Sequence, residues 1–161
     1  MNQRKKLRRG APVLLGLAAG VLLAVPVGLG SQQAIGPGGG VIRISNKEVA
    51  YQRIDVGRRG VGAGDIEVIR LSLYNRRLTS RSIGRSNLVC TFVDTRTRSC
   101  QGTYFLPRGK LVVGGSLRSR QFYDLAVLGG TGHYNDARGT LTVTRTARRP
   151  NRDIVLFRLA G

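Results

Sequence analysis

Six polar residues interrupt otherwise apolar, β-rich runs in this chain: Asp55, Glu67, Arg70, Tyr104, Tyr123 and Asp124. A carboxylate, guanidinium or phenol in such a run either faces solvent or lines an internal pocket, where a few placed polar groups orient a mostly apolar ligand. Asp55 and Asp124 are the candidates for acid–base work. Glu67, Arg70, Tyr104 and Tyr123 are the candidates for lining a cavity. Asp124 poses the choice most sharply: within Phe122-Tyr123-Asp124-Leu125-Ala126-Val127 an isolated carboxylate is costly to bury unless it is paired or has a task. The other reading makes it the start of a strand, near solvent and within reach of Arg118 or Arg120.

Several chemistries are excluded by residue type alone. His133 is the sole histidine, so no multi-histidine metal site can be built, and two cysteines bonded to each other leave a structural zinc without ligands. The chain contains no Gly-x-Ser-x-Gly elbow, no phosphate loop and no dinucleotide fingerprint between a strand and a helix. His133 follows Gly132 in a turn and reads as exposed. No cofactor is expected.

The elements that position the six candidates are strands. Alternation and turn residues mark Lys47 to Ile54, Ile66 to Leu73, Arg85 to Val93, Cys100 to Leu106, Lys110 to Leu117, Gln121 to Leu128, Ala137 to Arg145 and Arg152 to Leu159. No segment sustains a helical period. Eight short segments separated by Gly, Pro, Asn or Asp predict an all-β fold, a single eight-stranded antiparallel barrel over residues 47–161. Such a barrel has an interior just wide enough for side chains or one small ligand. In Leu141 and Val143 against Thr140, Thr142 and Thr144, one face is apolar and the other hydroxylic. Both faces are apolar in Leu125 to Leu128 and in Ile154 to Leu159, which asks for a covering segment or a second subunit outside the wall.

Cys90 and Cys100 close adjacent β runs around the turn Asp94-Thr95-Arg96-Thr97-Arg98-Ser99. Pairing of those runs brings the sulfurs within reach, so a disulfide is predicted, with two free buried thiols as the alternative. Closing a loop of about ten residues stabilises by roughly 2–3 kcal/mol on the chain-entropy model.

Gly129-Gly130-Thr131-Gly132 reads as a tight turn between two strands, and Gly139 as a bulge or sharp bend in the second. An apolar strand end at Leu128, these glycines, Tyr134, and Ala137 and Gly139 before the next strand, taken with Gly64-Asp65, Leu73-Tyr74-Asn75, Gly84-Arg85 and Cys90 upstream, resemble the dirigent and allene oxide cyclase barrel superfamily from about Lys47 to Leu159. The resemblance implies a calycin-like barrel, assembly into trimers, and, for dirigent proteins, capture of phenoxy radicals or quinone methides whose coupling the barrel orients. It also explains Tyr134 as an aromatic packed on the turn. Plant allene oxide cyclases carry an acid and an Asn on the first strand, a Ser-Pro soon after and a deeper Cys. Cys90 falls where that Cys would sit, but Tyr51 to Gly57 matches neither the acid-and-Asn pair nor a following Ser-Pro, so an isomerase activity of that kind is not implied.

The N-terminus reads as an export signal. Arg4, Lys5, Lys6, Arg8 and Arg9 precede an uncharged run from Ala11 to Leu29, and Gly28-Leu29-Gly30 offers small residues for cleavage after about Gly30. A membrane anchor carrying an extracytoplasmic domain is the competing reading of residues 1–30. Residues 31–46, with Gly36-Pro37-Gly38-Gly39-Gly40, read as a flexible leader. The full chain has a net charge of +19, and loss of the five signal bases leaves +14. A secreted small-molecule-binding barrel, steering cyclisation or coupling of a hydrophobic or phenolic substrate, is the first functional expectation. The second is a non-catalytic basic envelope protein that binds anionic surface polymers, without specific nucleic-acid recognition.

Overall fold

A computed structural model of the chain describes residues 39–75, 81–148 and 151–160. The predicted signal or anchor over 1–30, the leader up to residue 38 and the Arg76-Arg77 pair lie outside the described residues. Eight strands follow one another: β1 Gly40–Ile54, β2 Ile66–Tyr74, β3 Gly84–Phe92, β4 Arg98–Leu106, β5 Gly109–Leu117, β6 Phe122–Gly132, β7 Arg138–Arg148 and β8 Asn151–Ala160. Each pairs antiparallel with its neighbours in sequence, and β1 with β8, so the sheet closes into one barrel. Closure leaves no unpaired edge, which satisfies the backbone throughout the wall.

Three expectations need correction. β1 starts at Gly40, so residues 40–46 are strand and not leader. The cause is closure: Gly40–Lys47 forms the ladder to β8, while Ser45–Ile54 forms the ladder to β2, and one strand must be long enough for both. The glycine cluster is not the turn either. Gly129 to Gly132 belongs to β6 and pairs with Gly109 to Val112, and residues 133–137 make the connection. What the glycines supply is close approach, because a Cβ at Gly130 would collide with the carbonyl oxygens of Tyr134 and Lys110. Gly139 likewise makes no bulge: it stays in register with Val127 and Leu159, at φ 142°, where a Cβ would strike the Arg158 carbonyl.

Period-two alternation sorts the side chains. Leu71 and Leu73, Leu88, Leu111 and Val113, Leu125 and Val127, Leu141 and Val143, and Val155 and Phe157 point inward from successive strands and form one apolar core. Tyr104 and Phe157 meet edge to face at 5.1 Å within it. At the end of the barrel that carries the 107–108 and 133–137 connections, Leu106, Tyr134 and Ala137 are buried. Tyr134 lies buried under its own turn, with its N–H on the Thr131 carbonyl, and half-buried His133 stands edge-on to its ring. On the outside, Phe122, Ile154 and Leu156 form an apolar groove flanked by Arg43 and Arg158.

Candidate functional site

The opposite end, where β1–β2, β3–β4 and β5–β6 connect, is built from charge. A bulge in β1 delivers part of it. Up to Glu48 the even-numbered residues Ile44, Asn46 and Glu48 follow the inward row; the register then steps between Glu48 and Ala50 and leaves Val49 exposed. Beyond the step the odd-numbered Tyr51 and Arg53 stand opposite the inward residues Ile69 and Glu67. One extra residue thus re-aims the strand's last side chains at the mouth.

Asp65 fixes the loop that follows. Its carboxylate accepts the Val56 N–H at 2.9 Å, the Gly62 N–H at 3.0 Å and Arg53 Nη2 at 2.6 Å. The Val56 and Gly62 N–H groups, with Arg53 after them, hold the Asp65 carboxyl below the usual carboxylate range. Reciprocal backbone bonds of 2.8 Å, Gly64 N–H to the Phe92 carbonyl and Phe92 N–H to the Asp65 carbonyl, tie the loop to β3.

Glu67 is the centre of the mouth. It is 3% exposed, its Oε2 lies 2.9 Å from Arg98 Nη1 and 2.6 Å from Arg120 Nη2, and its Oε1 accepts the Tyr51 hydroxyl at 2.8 Å. Burial pushes the Glu67 carboxyl upward, but the Tyr51 hydroxyl and the two guanidiniums more than offset it and hold the group below its ordinary value. Arg120 also lies over the Tyr51 ring at 4.8 Å, and Arg98 and Arg53 flank the Phe92 ring at 5.4 and 5.8 Å.

A second buried ion pair sits beside the first: Arg145 Nε bonds Asp153 Oδ1 at 2.9 Å between β7 and β8. Next to it stands Tyr123, whose phenol is pushed up first by burial and then by the Asp153 charge, so it stays protonated. Tyr123 lines the cavity. Tyr104 is likewise raised, by burial and then by Tyr123 and Asp153, while Ser86, directly opposite it on β3, opposes the rise. The side-chain amide of Asn46 is buried and reaches no hydrogen-bond partner among the described residues.

The space inside is unequal. Between Glu67, Cys90, Arg98, Tyr123 and Asp153 the barrel holds a cavity of about 30 Å³, room for a water or two. Above it, an open vestibule of about 570 Å³ is lined by Arg53, Val61, Phe92, Arg96, Arg118 and Arg120, with Glu67 and Arg98 on its floor. Of these two spaces, the vestibule at the mouth is the one of substrate size. The Cys90–Cys100 disulfide forms as predicted, joining directly opposed residues of β3 and β4 on the inner face.

Of the six sequence candidates, the barrel gathers three. Glu67 and Tyr123 border the cavity and Tyr104 lies buried in the interior. Arg70, Asp55 and Asp124 are exposed and leave the candidate site. Arg70 has the wrong parity, adjacent to inward Ile69 and paired with Ala50 and Asn87. Asp55 lies beyond the end of β1 and accepts the Gly60 N–H at 3.0 Å, ordering the loop. Asp124 alternates outward between Tyr123 and Leu125, opposite Thr142, and Arg120 pairs with Glu67 instead. Arg98, Arg120, Arg145, Asp153 and Tyr51 are site residues that the sequence reading passed over. For Arg145 the signal was there, since the inward row Leu141, Val143 continues onto it.

Compared with known proteins, the chain matches no family model and no curated sequence. Solved structures do match. A pyocyanin demethylase aligns at TM-score 0.66 and 21% identity over 75% of this chain and 100% of its own. A pterocarpan synthase dirigent protein aligns at 0.57 and 15% over 76% of this chain and 86% of its own. The Diels–Alderase AbmU of Streptomyces koyangensis aligns at 0.60 and 14% over 74% of this chain and 64% of its own. The closed eight-stranded barrel described above is thus the fold of these dirigent and Diels–Alderase proteins, and the dirigent likeness in fold is the one that the glycine and strand motifs carried.

Proposed function

We propose that this chain is an exported barrel that binds a small molecule at its open end and steers a cyclisation or coupling there, by positioning more than by strong acid–base catalysis. One observation carries the reading: one end of the barrel opens into a vestibule of about 570 Å³ floored by Glu67 and its arginines, while at the other Leu106, Tyr134 and Ala137 are buried. Glu67, bound by three donors and held below its usual range, is a weak base near neutrality and serves to organise charge. Tyr123 is the group suited to touch substrate, as a protonated phenol at the cavity edge. A donor so placed stabilises negative charge that develops on a carbonyl or phenoxy oxygen, while the walls hold two reacting ends together. Similarity in fold to dirigent and Diels–Alderase proteins supports this choice over unrelated uses of a barrel.

The disulfide supports an oxidising destination, and cleavage after about Gly30 and self-association through the outer apolar groove are parts of the same proposal. The test is untargeted mass spectrometry of small molecules co-purified with the exported protein, beside a Tyr123→Phe variant. The expected result is one compound enriched near stoichiometry and depleted in the variant at unchanged fold stability. A protein that emerges with nothing enriched, from its native host and after incubation with host extract, would overturn the reading.

A further inference from the structure

The vestibule carries a charge imbalance that restricts what can enter it. Its lining presents five guanidiniums, from Arg53, Arg96, Arg98, Arg118 and Arg120, against one carboxylate, Glu67. Their commitments differ. Arg53 is held by Asp65. Arg98 and Arg120 share the single oxygen Oε2 of Glu67, so two cations divide one anionic atom. Arg96 and Arg118 form no ion pair among the described residues. The nearby carboxylate of Asp94 is turned to the backbone, where it accepts the Arg96 and Thr97 N–H groups at 2.7 Å each and orders the β3–β4 turn. The walls between these cations are apolar, Val61 and Phe92, and planar guanidiniums already lie against the Phe92 and Tyr51 rings.

From this geometry we infer that the natural ligand is a planar organic anion, a carboxylate on an aromatic or conjugated body, whose charged end is taken by Arg96 and Arg118 at the rim and whose flat body lies among the inner guanidiniums and Val61. The inference rests on the proposed small-molecule function and names the ligand class for the same site. Guanidinium forks match carboxylates two bonds at a time and stack on flat π-systems, a combination that lysines would not provide. A neutral ligand would leave Arg96 without an ion-pair partner and Arg118 with only the field of the Asp94 carboxylate. A bare inorganic anion would leave the apolar wall uncovered. Other exposed arginines are less gathered: Arg70, Arg85 and Arg138 stand on three different strands of the wall, and the outer apolar groove is flanked by two, Arg43 and Arg158, against the five of the vestibule.

The test is titration calorimetry of the protein with 2-naphthoate and with its neutral counterpart 2-naphthylmethanol. The expected result is saturable one-site binding of the acid, at least tenfold tighter than the alcohol. The double variant Arg96→Gln/Arg118→Gln should weaken the acid tenfold or more and leave the alcohol unchanged. The outer-wall variant Arg70→Gln/Arg85→Gln, with the same loss of charge and outside both the vestibule and the outer groove, should bind the acid as the parent does. Acid and alcohol binding equally would overturn the anion inference while leaving a small-molecule vestibule intact. An equal loss in the outer-wall variant would overturn both, because the attraction would then be diffuse, as for an anionic polymer. If neither probe binds, the inference fails on its own, and the co-purification experiment still decides the function.

Discussion

Replacing Glu67 with Gln removes the anion on which the mouth is assembled, and the cost can be worked from the contacts. Breaking a buried ion pair by deleting one partner costs about 3–5 kcal/mol, because the other charge is left without compensation. Arg98 is that stranded partner, with a side chain 8% exposed against 31% for Arg120. The solvated Arg120 pair counts close to a surface pair, about 0–1 kcal/mol, and water in the vestibule favours the lower end of the buried range. The expected loss at pH 7 is therefore about 3 kcal/mol, or a fall in Tm of about 10 °C for a domain of this size. The sign of the pH dependence follows from the depressed carboxyl. Its stabilisation is complete above the unfolded-state pKa near 4.3 and fades as pH falls through the lower folded value. Urea unfolding of parent and variant from pH 7 to pH 2 should show a gap that is full at neutrality and closes below about pH 4. A Glu67→Gln/Arg98→Met double variant should recover most of the loss. A gap under about 1 kcal/mol, or one that persists unchanged to pH 2, would refute the buried ionic centre.

Three further outcomes follow from the same contacts. Cys90→Ala/Cys100→Ala should cost about 2–3 kcal/mol in chemical unfolding, and a parent equally stable with and without reductant would contradict the disulfide's role. The phenols of Tyr104 and Tyr123 are raised by burial, so their contribution is complete below the unfolded tyrosine pKa near 10 and lost as pH climbs through the folded values. Absorbance at 295 nm should therefore record their ionisation only together with alkaline unfolding by circular dichroism, and separate, earlier ionisation would refute the burial. Gly130→Ala should destabilise by about 2 kcal/mol or more, because its methyl meets backbone oxygens of β5 and the 133–137 turn that cannot step aside; a neutral result by thermal unfolding would dispute the close approach.

The barrel was legible because strands write their period into the sequence. Leu141 and Val143 against the threonines, and the Gly and Pro punctuation, are local signals that survive folding unchanged. Parity also explains the errors at the site. Asp124 and Arg70 drew attention as charges in apolar runs, yet each is one residue out of phase with the inward row of its own strand. Tyr51 and Arg53 reach the mouth only through the bulge at Val49, a step in the pairing that no periodicity in β1 announces. Arg120 lies outside any strand and is brought to Glu67 by closure, a contact between residues 53 positions apart in the chain. The glycine cluster misled for another reason: glycine marks both turns and close backbone contacts, and only the β5 partner distinguishes them.

The central claim is that the barrel has one working end. Backbone amide chemical-shift mapping with 2-naphthoate examines it residue by residue. The account predicts shifts confined to residues 61–67, 92–98 and 118–123 around the vestibule, with Leu106, Tyr134 and Ala137 at the opposite end unmoved. Shifts concentrated at the Tyr134 end, or scattered over the outer wall, would contradict it.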